Sequence, residues 1–393
     1  MQIAFHPSFP GFDPAGACAD LGFSFRSSAD PLELAALARE SDALILLGPR
    51  YTPELAKKLA EPGHRLRLLQ FLSAGYENAE SFGVPQGTAV SNGSSIWAPA
   101  VAEHAVALML GLLRRLPELE RNRTSSTWDR EGLAPRLGSL DGARVGILGY
   151  GTIGREIAQR VRPFGAEPIG IARTAKADEF APVAGLAELQ TLIPTLDVLI
   201  NGLPSTATTR HLVGEDVLGR LKPRAILVNV GRGSTTDEAA LYEALADGRI
   251  AGAGLDVSDV EPLALESPLW SLANVIISPH CAGYGSVGII RRAHELCRAN
   301  LTALRDGAPC KVGWRSGYCK KNELFTRSAE NHQFSLNLFN SGTSRSQKSF
   351  ASLGGNDASG GAGQETEPEA RFQNANGLAQ CQLGCSEALC APS

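Results

Sequence analysis

The sequence carries no surplus of positive charge. Its 37 Lys and Arg against 41 Asp and Glu leave a formal net charge of −4. That balance supplies no general attraction to nucleic acid or to an anionic membrane, so neither partner is expected and any basic binding feature must be local. No cysteine pair has the close CxxC spacing of a zinc site. Of the 8 cysteines, Cys18, Cys281 and Cys297 lie in the globular part and the rest at or after Cys310. The closing CQLGCSEALC has no histidine nearby, and its spacing matches no common zinc pattern, so no metal is expected. Such scattered thiols read as reduced, cytoplasmic usage. The N-terminal MQIAFHPSFPGFDP lacks both a basic region and a long apolar stretch, so no secretory signal is expected. The most apolar helical run, VAEHAVALMLGLL, is interrupted by Glu103 and His104 and closed by Arg114 and Arg115. On those limits it reads as too short to span a bilayer. No fixed-period repeat occurs.

What is present is alternation. With 393 residues, 43% hydrophobic and 20% charged, the chain suits two or three domains of a soluble globular protein. From Met1 to about Val312, short apolar runs such as DALILLG, RLRLLQFL, ARVGILG, DVLINGL, AILVNVG, AGAGLDV and NVIISP are separated by helical patterns. Apolar runs joined by helices predict an α/β fold with parallel sheets covered on both faces. IGREIAQRVRPFG predicts a helix with Ile153, Ile157, Val161 and Phe164 on one stripe and Gly165 as its stop. Pro99 to Leu116 is apolar nearly all round, which predicts a helix buried between two lobes. Asp237 or Thr236 should cap the helix that follows. From Cys319 to Ser393 the chain is rich in Ser, Gly, Asn and Gln and reads as a mostly disordered tail.

The strongest local signal is ARVGILGYGTIGREIAQRV. Gly149, Gly151 and Gly154 form GxGxxG between an apolar strand and an amphipathic helix, with Tyr150, Thr152 and Ile153 between them. The first glycine permits a tight turn, the second lets a pyrophosphate approach the backbone, and the third allows close helix packing. The helix N-terminus adds amide donors and a positive dipole. A carboxylate that would accept the adenosine ribose hydroxyls of NAD is expected about 20 residues onward. There the chain has Ala172, Arg173 and Thr174 instead. No acid repels a 2′-phosphate and an arginine can pair with one, so NADP is expected in preference to NAD.

Three polar side chains follow later apolar runs: Arg232 after AILVNVG, Glu261 in DVSDVEPL, and His280 after NVIISP. Parallel strands present their carboxyl ends to one edge of the sheet, so the three can converge there. They suit a 2-oxo acid. Arginine offers a planar two-donor fork to a carboxylate. A protonated imidazole can hydrogen-bond the ketone oxygen and give up its proton. A neighbouring carboxylate orients the ring and favours its charged form. Cys281, beside His280, lacks a third orienting group and reads as a packing residue.

These motifs, in the order GYGTIGREIAQR, LPSTATTRHLV, LKPRAILVNVGRGSTTDEAALYEALADGRIAGAGLDV, DVEPL and ISPHCAG, resemble the D-isomer-specific 2-hydroxyacid dehydrogenases from about Leu44 to Tyr318. The resemblance implies two Rossmann-like lobes: a substrate-binding lobe from residues 1–96 and 281–318, and a dinucleotide-binding domain from 97–280, with 319–393 as the tail. It implies that Arg232 binds the substrate carboxylate, that His280 is the acid/base and that Glu261 is its partner. Asp256 is implied at the nicotinamide carboxamide, and Leu203, Pro204, Thr209, Val230 and Gly231 along the cofactor. FLSAGYENAE looks like the family's carboxylate-gripping loop, with Ser73, Ala74 and Gly75 at the turn and Glu77-Asn78 where Asp-Asn is usual. Ser94, Ser95 and Trp97 are candidates for lining the cleft. The expected reaction is reduction of a small 2-oxo acid of glyoxylate or hydroxypyruvate kind. A dinucleotide-sensing corepressor-like protein and a phosphite-type dehydrogenase are the alternatives. The likeness also suggests a homodimer built on the cofactor lobe, with LEL to TSSTWDREGLAP as an arm-like insertion after the long helix; Trp128, in a polar surrounding, suits an interface anchor.

Overall fold

A computed structural model describes residues 1–310. The predicted disordered tail, and the part of the returning segment from 311 to 318, lie outside the described residues. The first sheet contains β1 (Gln2–Phe5), β2 (Ser24–Ser27), β3 (Ala43–Leu46), β4 (Leu68–Phe71) and β5 (Ala89–Ser91), in the order β2-β1-β3-β4-β5. The second contains β6 (Arg144–Leu148), β7 (Glu167–Ala172), β8 (Val183–Gly185), β9 (Val198–Asn201), β10 (Ile226–Asn229), β11 (Gly252–Leu255) and β12 (Val275–Ile277). Its order is β12-β11-β10-β9-β6-β7-β8. Every pairing in both sheets is parallel. Counted from the glycine-loop strand, the second sheet reads 3-2-1-4-5-6-7, the doubly wound order of dinucleotide-binding domains. The α/β reading with two Rossmann-like parallel sheets therefore holds.

Why the apolar runs do not alternate is plain from burial. β3, β4, β9 and β10 are buried at every position, being covered on both faces, whereas the edge strand β2 is mostly exposed. Register then fixes the functional edge. Ile171, Leu148, Asn201, Asn229, Leu255 and Ile277 pair in one continuous row across β7-β6-β9-β10-β11-β12. Whatever follows that row emerges on the same side: Arg173, Gly149, Leu203, Arg232, Asp256 and His280.

The long helix differs from its sequence limits. It runs over Ser94–Leu113, 20 residues, and not Pro99 to Leu116. At that length and apolarity it could cross a membrane, so the length argument against a span fails. Its residues are instead mostly buried within the protein. The Gly-Ala-Gly sequence of β11 explains how it seats. A Cβ on Gly254 would lie 3.0 Å from Leu108, and one on Gly252 3.2 Å from Leu112. Small residues on the strand let the helix pack down on the sheet. At its first turn the Trp97 indole donates to the Leu72 carbonyl at 2.6 Å, tying the helix to the first sheet.

The chain returns through the helix Ile289–Arg305, whose Ala293, Leu296, Cys297, Leu301 and Leu304 share a core with Ile3, Ala43, Ile45 and Leu68. Buried Asn300 donates to Gln70 at 2.6 Å and to Ser91 at 3.0 Å. Two smaller expectations need correction or choice. The glycine-loop helix ends at Val161, and Phe164 leaves the predicted stripe to lie 47% exposed in the following turn. Pro163 cannot continue the helix, and Gly165 closes the turn at φ +80°. Of the two capping candidates, Asp237 caps Glu238–Ala246, accepting from Ala239 and Ala240.

Candidate active site

The glycine loop sits where β6 and β9 diverge, the switch point of the sheet. Gly149 adopts φ +87°, and a Cβ there would meet the Gly202 carbonyl oxygen at 2.6 Å and the Leu203 amide at 2.9 Å. Only glycine fits both the dihedral and the approach. Gly154 would place a Cβ 3.0 Å from Ile147, so it brings the helix onto the sheet. Gly151 is different: a Cβ there would meet nothing nearer than 4.0 Å. As the N-cap of the helix Thr152–Val161, Gly151 brings no side chain to cap it. Open space beside a glycine N-cap at a helix N-terminus suits a pyrophosphate, so a dinucleotide fits here.

The sequence grouped Tyr150 with the cofactor residues, but its side chain faces inward. It is 3% exposed, packs in the core and donates its hydroxyl to Asp178 at 2.9 Å. Ile153 packs against the same core, while Thr152 stands at the first turn. Past β7, Arg173 and Thr174 are exposed at the edge next to the glycine loop. Thr209 accepts from the Thr206 amide at 2.8 Å and donates to the Pro204 carbonyl at 2.6 Å, so its side chain holds the loop after Leu203. Val230 and Gly231 are buried.

Two asparagines that sequence reading passed over organise this edge. Asn201 and Asn229 end adjacent strands, and both are buried. Asn201 donates to the Thr235 and Thr236 hydroxyls at 2.7 and 3.1 Å and accepts from the Leu203 amide. Asn229 donates to the Arg232 carbonyl at 3.2 Å and accepts from the Gly231 amide at 3.0 Å. Together they fix the backbone from which Arg232 projects. Their signal was present in DVLINGL and AILVNVG: a lone amide closing an apolar strand needs partners once buried.

His280 sits three residues past the register row with φ +51°, an uncommon setting for a side chain other than glycine. Its Nδ1 lies 2.7 Å from Glu261 Oε2, and the ring is half exposed. With Nδ1 committed, Nε2 is the atom left to face a ligand. The other Glu261 oxygen accepts from the Ser258 amide at 3.3 Å. The predicted pair is thus formed. Asp256 reaches the same edge but directs its carboxylate into the protein. It is 2% exposed and accepts from Ser278 Oγ at 2.7 Å, the Cys281 amide at 2.9 Å and the Ala282 amide at 3.1 Å. His104 Nε2 lies 2.8 Å from the Ser278 hydroxyl. Asp256 therefore anchors the loop that carries His280, whatever it does toward a cofactor. The Cys281 thiol lies near His104 and Asp256. His104 had appeared in sequence only as a break in an apolar helix.

Arg232 crosses toward the first sheet. Its Nε donates to Glu77 Oε1 at 2.7 Å, and its Nη1 to the Gly231 carbonyl at 2.8 Å. A Cβ on Gly75 would collide with Arg232 Nη2 and Glu77 Oε2, so the guanidinium lies directly on the glycine backbone. Ser73 shapes this turn, donating to the Gly75 carbonyl and accepting from the Gly48 amide, each at 2.9 Å. Asn78 donates to the Gly48 and Tyr51 carbonyls. Among the described residues the amides of Ala74 and Gly75 have no hydrogen-bond partner. The predicted loop and Arg232 are brought together. Trp97 joins the parts, its ring lying where a Cβ on Gly283 would meet it at 2.8 Å. Ser94 donates its hydroxyl to Asn92 at 2.9 Å.

On the far side of Glu77 opens a cleft of about 370 Å³, lined from the first lobe by Glu77, Glu80 and Ser81 and from the second by Ser205, Thr206, Ala207 and Arg210. Burial of the Glu80 carboxyl, with the charge of Glu77 added, raises its pKa. β10 and β12 flank β11, so their axes lie about 10 Å apart. An arginine and a histidine reaching inward from such a separation can meet one small anion.

Comparison with known proteins agrees with this geometry. Residues 106–282 match the sequence model of the D-isomer specific 2-hydroxyacid dehydrogenase NAD binding domain. The chain is 35% identical over 276 residues to a glyoxylate reductase of Thermococcus gammatolerans, covering 68% of this chain and 81% of that protein. It is 36% identical over 277 residues to a glyoxylate reductase of Aeropyrum pernix, covering 69% and 82%. Among solved structures, it is similar to an NADPH-dependent glyoxylate/hydroxypyruvate reductase from Sinorhizobium meliloti in complex with NADP and malonate. That likeness has a TM-score of 0.59 at 32% identity, over 79% of this chain and 95% of that one. A D-isomer specific 2-hydroxyacid dehydrogenase from Xanthobacter autotrophicus in complex with NADPH matches with TM-score 0.66 and 26% identity, over 80% and 99%.

Proposed function

Since the chain belongs to the D-isomer specific 2-hydroxyacid dehydrogenase family, we propose that it reduces glyoxylate or hydroxypyruvate to the D-2-hydroxy acid. The protein is a nicotinamide-dinucleotide oxidoreductase acting on 2-oxo acids. The observation that carries the finer reading is the meeting of Arg232 with the Ala74-Gly75 turn, at one edge with His280 and Glu261. This builds a carboxylate grip beside a proton donor.

A nicotinamide dinucleotide held at Gly149, Gly151 and the start of the helix Thr152–Val161 would supply the hydride that the carbonyl carbon takes up. The protein's own groups do the rest. The Arg232 fork and the Ala74 and Gly75 amides hold the substrate carboxylate, which fixes the position of the adjacent ketone. His280 gives a proton from Nε2 to the ketone oxygen as it gains charge, while Glu261 holds the ring through Nδ1. One 2-oxo acid, one reduced cofactor and one proton give one 2-hydroxy acid and oxidised cofactor. Purified protein offered NADPH and NADH with a panel of 2-oxo acids tests this. Best turnover on two- and three-carbon monocarboxylates is expected. Preference for long or branched acids would overturn the assignment.

We further assign the cofactor as NADP. Arg173 is exposed beside the glycine loop and makes no ion pair or hydrogen bond among the described residues. Arg173→Ala with Thr174→Ala should lower kcat/KM for NADPH about tenfold or more while changing that for NADH little, the scale of charge-assisted phosphate contacts. An NADPH preference that survives both changes would place the determinants elsewhere.

The assembly is proposed to be a homodimer. Trp128 is 95% exposed, and Leu116 and Leu119, one helical turn apart, are 52% and 40% exposed. Sedimentation should show a dimer that Trp128→Ala weakens about tenfold or more. A monomeric wild-type protein would end this reading.

A further inference from the structure

All three guanidinium nitrogens of Arg232 are engaged or covered. Nε donates to Glu77 Oε1 at 2.7 Å, Nη1 donates to the Gly231 carbonyl at 2.8 Å, and Nη2 lies on Gly75 beside the second Glu77 oxygen. The side of the fork that a carboxylate would grip therefore already holds a carboxylate. Glu77 stands on the first lobe, at the start of the short helix Glu77–Phe82, and Arg232 stands on the second, so the pair spans the cleft. Both side chains are only partly exposed, 35% for Glu77 and 29% for Arg232. The Gly231 carbonyl restrains the guanidinium from the opposite side, which limits its freedom to turn toward a second anion.

We propose that Glu77 is an internal stand-in for the substrate carboxylate, and that a 2-oxo acid binds by displacing it from Arg232. The proposal rests on the 2-oxo acid reading of the site. Displacement exchanges one carboxylate on the fork for another. The apparent affinity for substrate is lowered by the fraction of molecules in which Glu77 holds the arginine. Glu77 lines the adjoining cavity together with Glu80, so the displaced carboxylate has a space to enter. Entry there brings two acidic groups together, and Glu80 already feels the charge of Glu77. The displaced state is thus disfavoured, which strengthens the competition. It also sets a selection. A substrate whose far end carries a second anion meets the displaced Glu77 and Glu80 as well, whereas a monocarboxylate contends only with the hold of Glu77 on Arg232.

The alternative role for Glu77 is positioning: it would aim Arg232 at the substrate, and its loss would weaken binding. The two roles predict opposite signs. Glu77→Gln removes the charge and keeps the shape. Under displacement, KM for glyoxylate with saturating NADPH falls about two- to tenfold, the range for a partly exposed ion pair, and changes by more than kcat does. The dissociation constant of oxalate, a non-reducible dicarboxylate read by calorimetry on the NADPH-bound protein, falls in parallel. Glu77→Asp, one methylene shorter, moves both constants in the same direction. A rise in KM and in the oxalate constant, or no change in either, overturns the proposal. Oxalate binding also separates this inference from the functional reading. If wild-type protein turns over no 2-oxo acid, that reading fails by itself. If it does turn over and Glu77→Gln leaves oxalate binding unaltered, only the displacement fails.

Discussion

His280→Asn is expected to lower turnover of a 2-oxo acid by about three orders of magnitude or more, within the range general acids supply, while NADPH binding stays within a few-fold. Asparagine suits the test because of the backbone. His280 has φ +51°, and asparagine is among the few residues that tolerate this region, so the loop should keep its shape. Alanine would confound lost chemistry with strain. The loop is held independently of the ring, by the His280 amide on the Asp256 carbonyl at 2.8 Å and by the Cys281 and Ala282 amides on the Asp256 carboxylate. An unaltered melting temperature with vanished turnover would therefore isolate the proton donor. Glu261→Gln should cost less than the histidine change, because glutamine can still hold Nδ1 at the 2.7 Å contact but carries no charge. Turnover of His280→Asn within tenfold of wild type would remove His280 from the chemistry.

How much of this was legible in sequence depends on whether the signal is local. The glycine loop was legible because a turn and a close helix packing each demand glycine at a fixed offset, and the structure finds those demands at Gly149 and Gly154, with open space at Gly151 between them. The strand-end set was legible because parallel strands share one edge, which the register row confirms. The Asn201 and Asn229 posts were not read, since their partners Thr235 and Thr236 become neighbours only after the sheet forms. The inward aim of Asp256 was hidden for the same reason: its partners Ser278, Cys281 and Ala282 belong to the next strand's loop. The helix limits failed at Pro99: proline removes a backbone donor inside a helix and so reads as a start, yet the helix opens at Ser94 and carries Pro99 within it. Glu77 was seen only as a small departure from a pattern. Its meaning lies in a contact 155 residues along the chain.

The second large effect is expected at Arg232. Arg232→Lys should lower kcat/KM for the 2-oxo acid by about two to four orders of magnitude and leave cofactor affinity nearly unchanged. Lysine keeps the charge but offers a point donor in place of a planar fork. Each charge-assisted hydrogen bond lost from a carboxylate is worth about 1.5–3 kcal/mol, and two are at stake. The ammonium also cannot reach the Gly231 carbonyl and the substrate together, as the guanidinium does through Nη1 and its outer nitrogens. The backbone at this position should hold, because Asn229 grips the Arg232 carbonyl and Thr235 donates to it at 2.6 Å. Gly233, next in the chain, is packed so closely on Ser258 and Asp259 that a Cβ would strike their backbone. That anchoring keeps the strand end in place when the side chain changes. The loss should thus fall on substrate and not on folding. It should appear with glyoxylate and with oxalate binding alike, since both present a carboxylate to the same fork. A lysine variant that keeps kcat/KM within fivefold would show that the Ala74 and Gly75 amides hold the acid without the arginine, and the site would have to be redrawn around that turn.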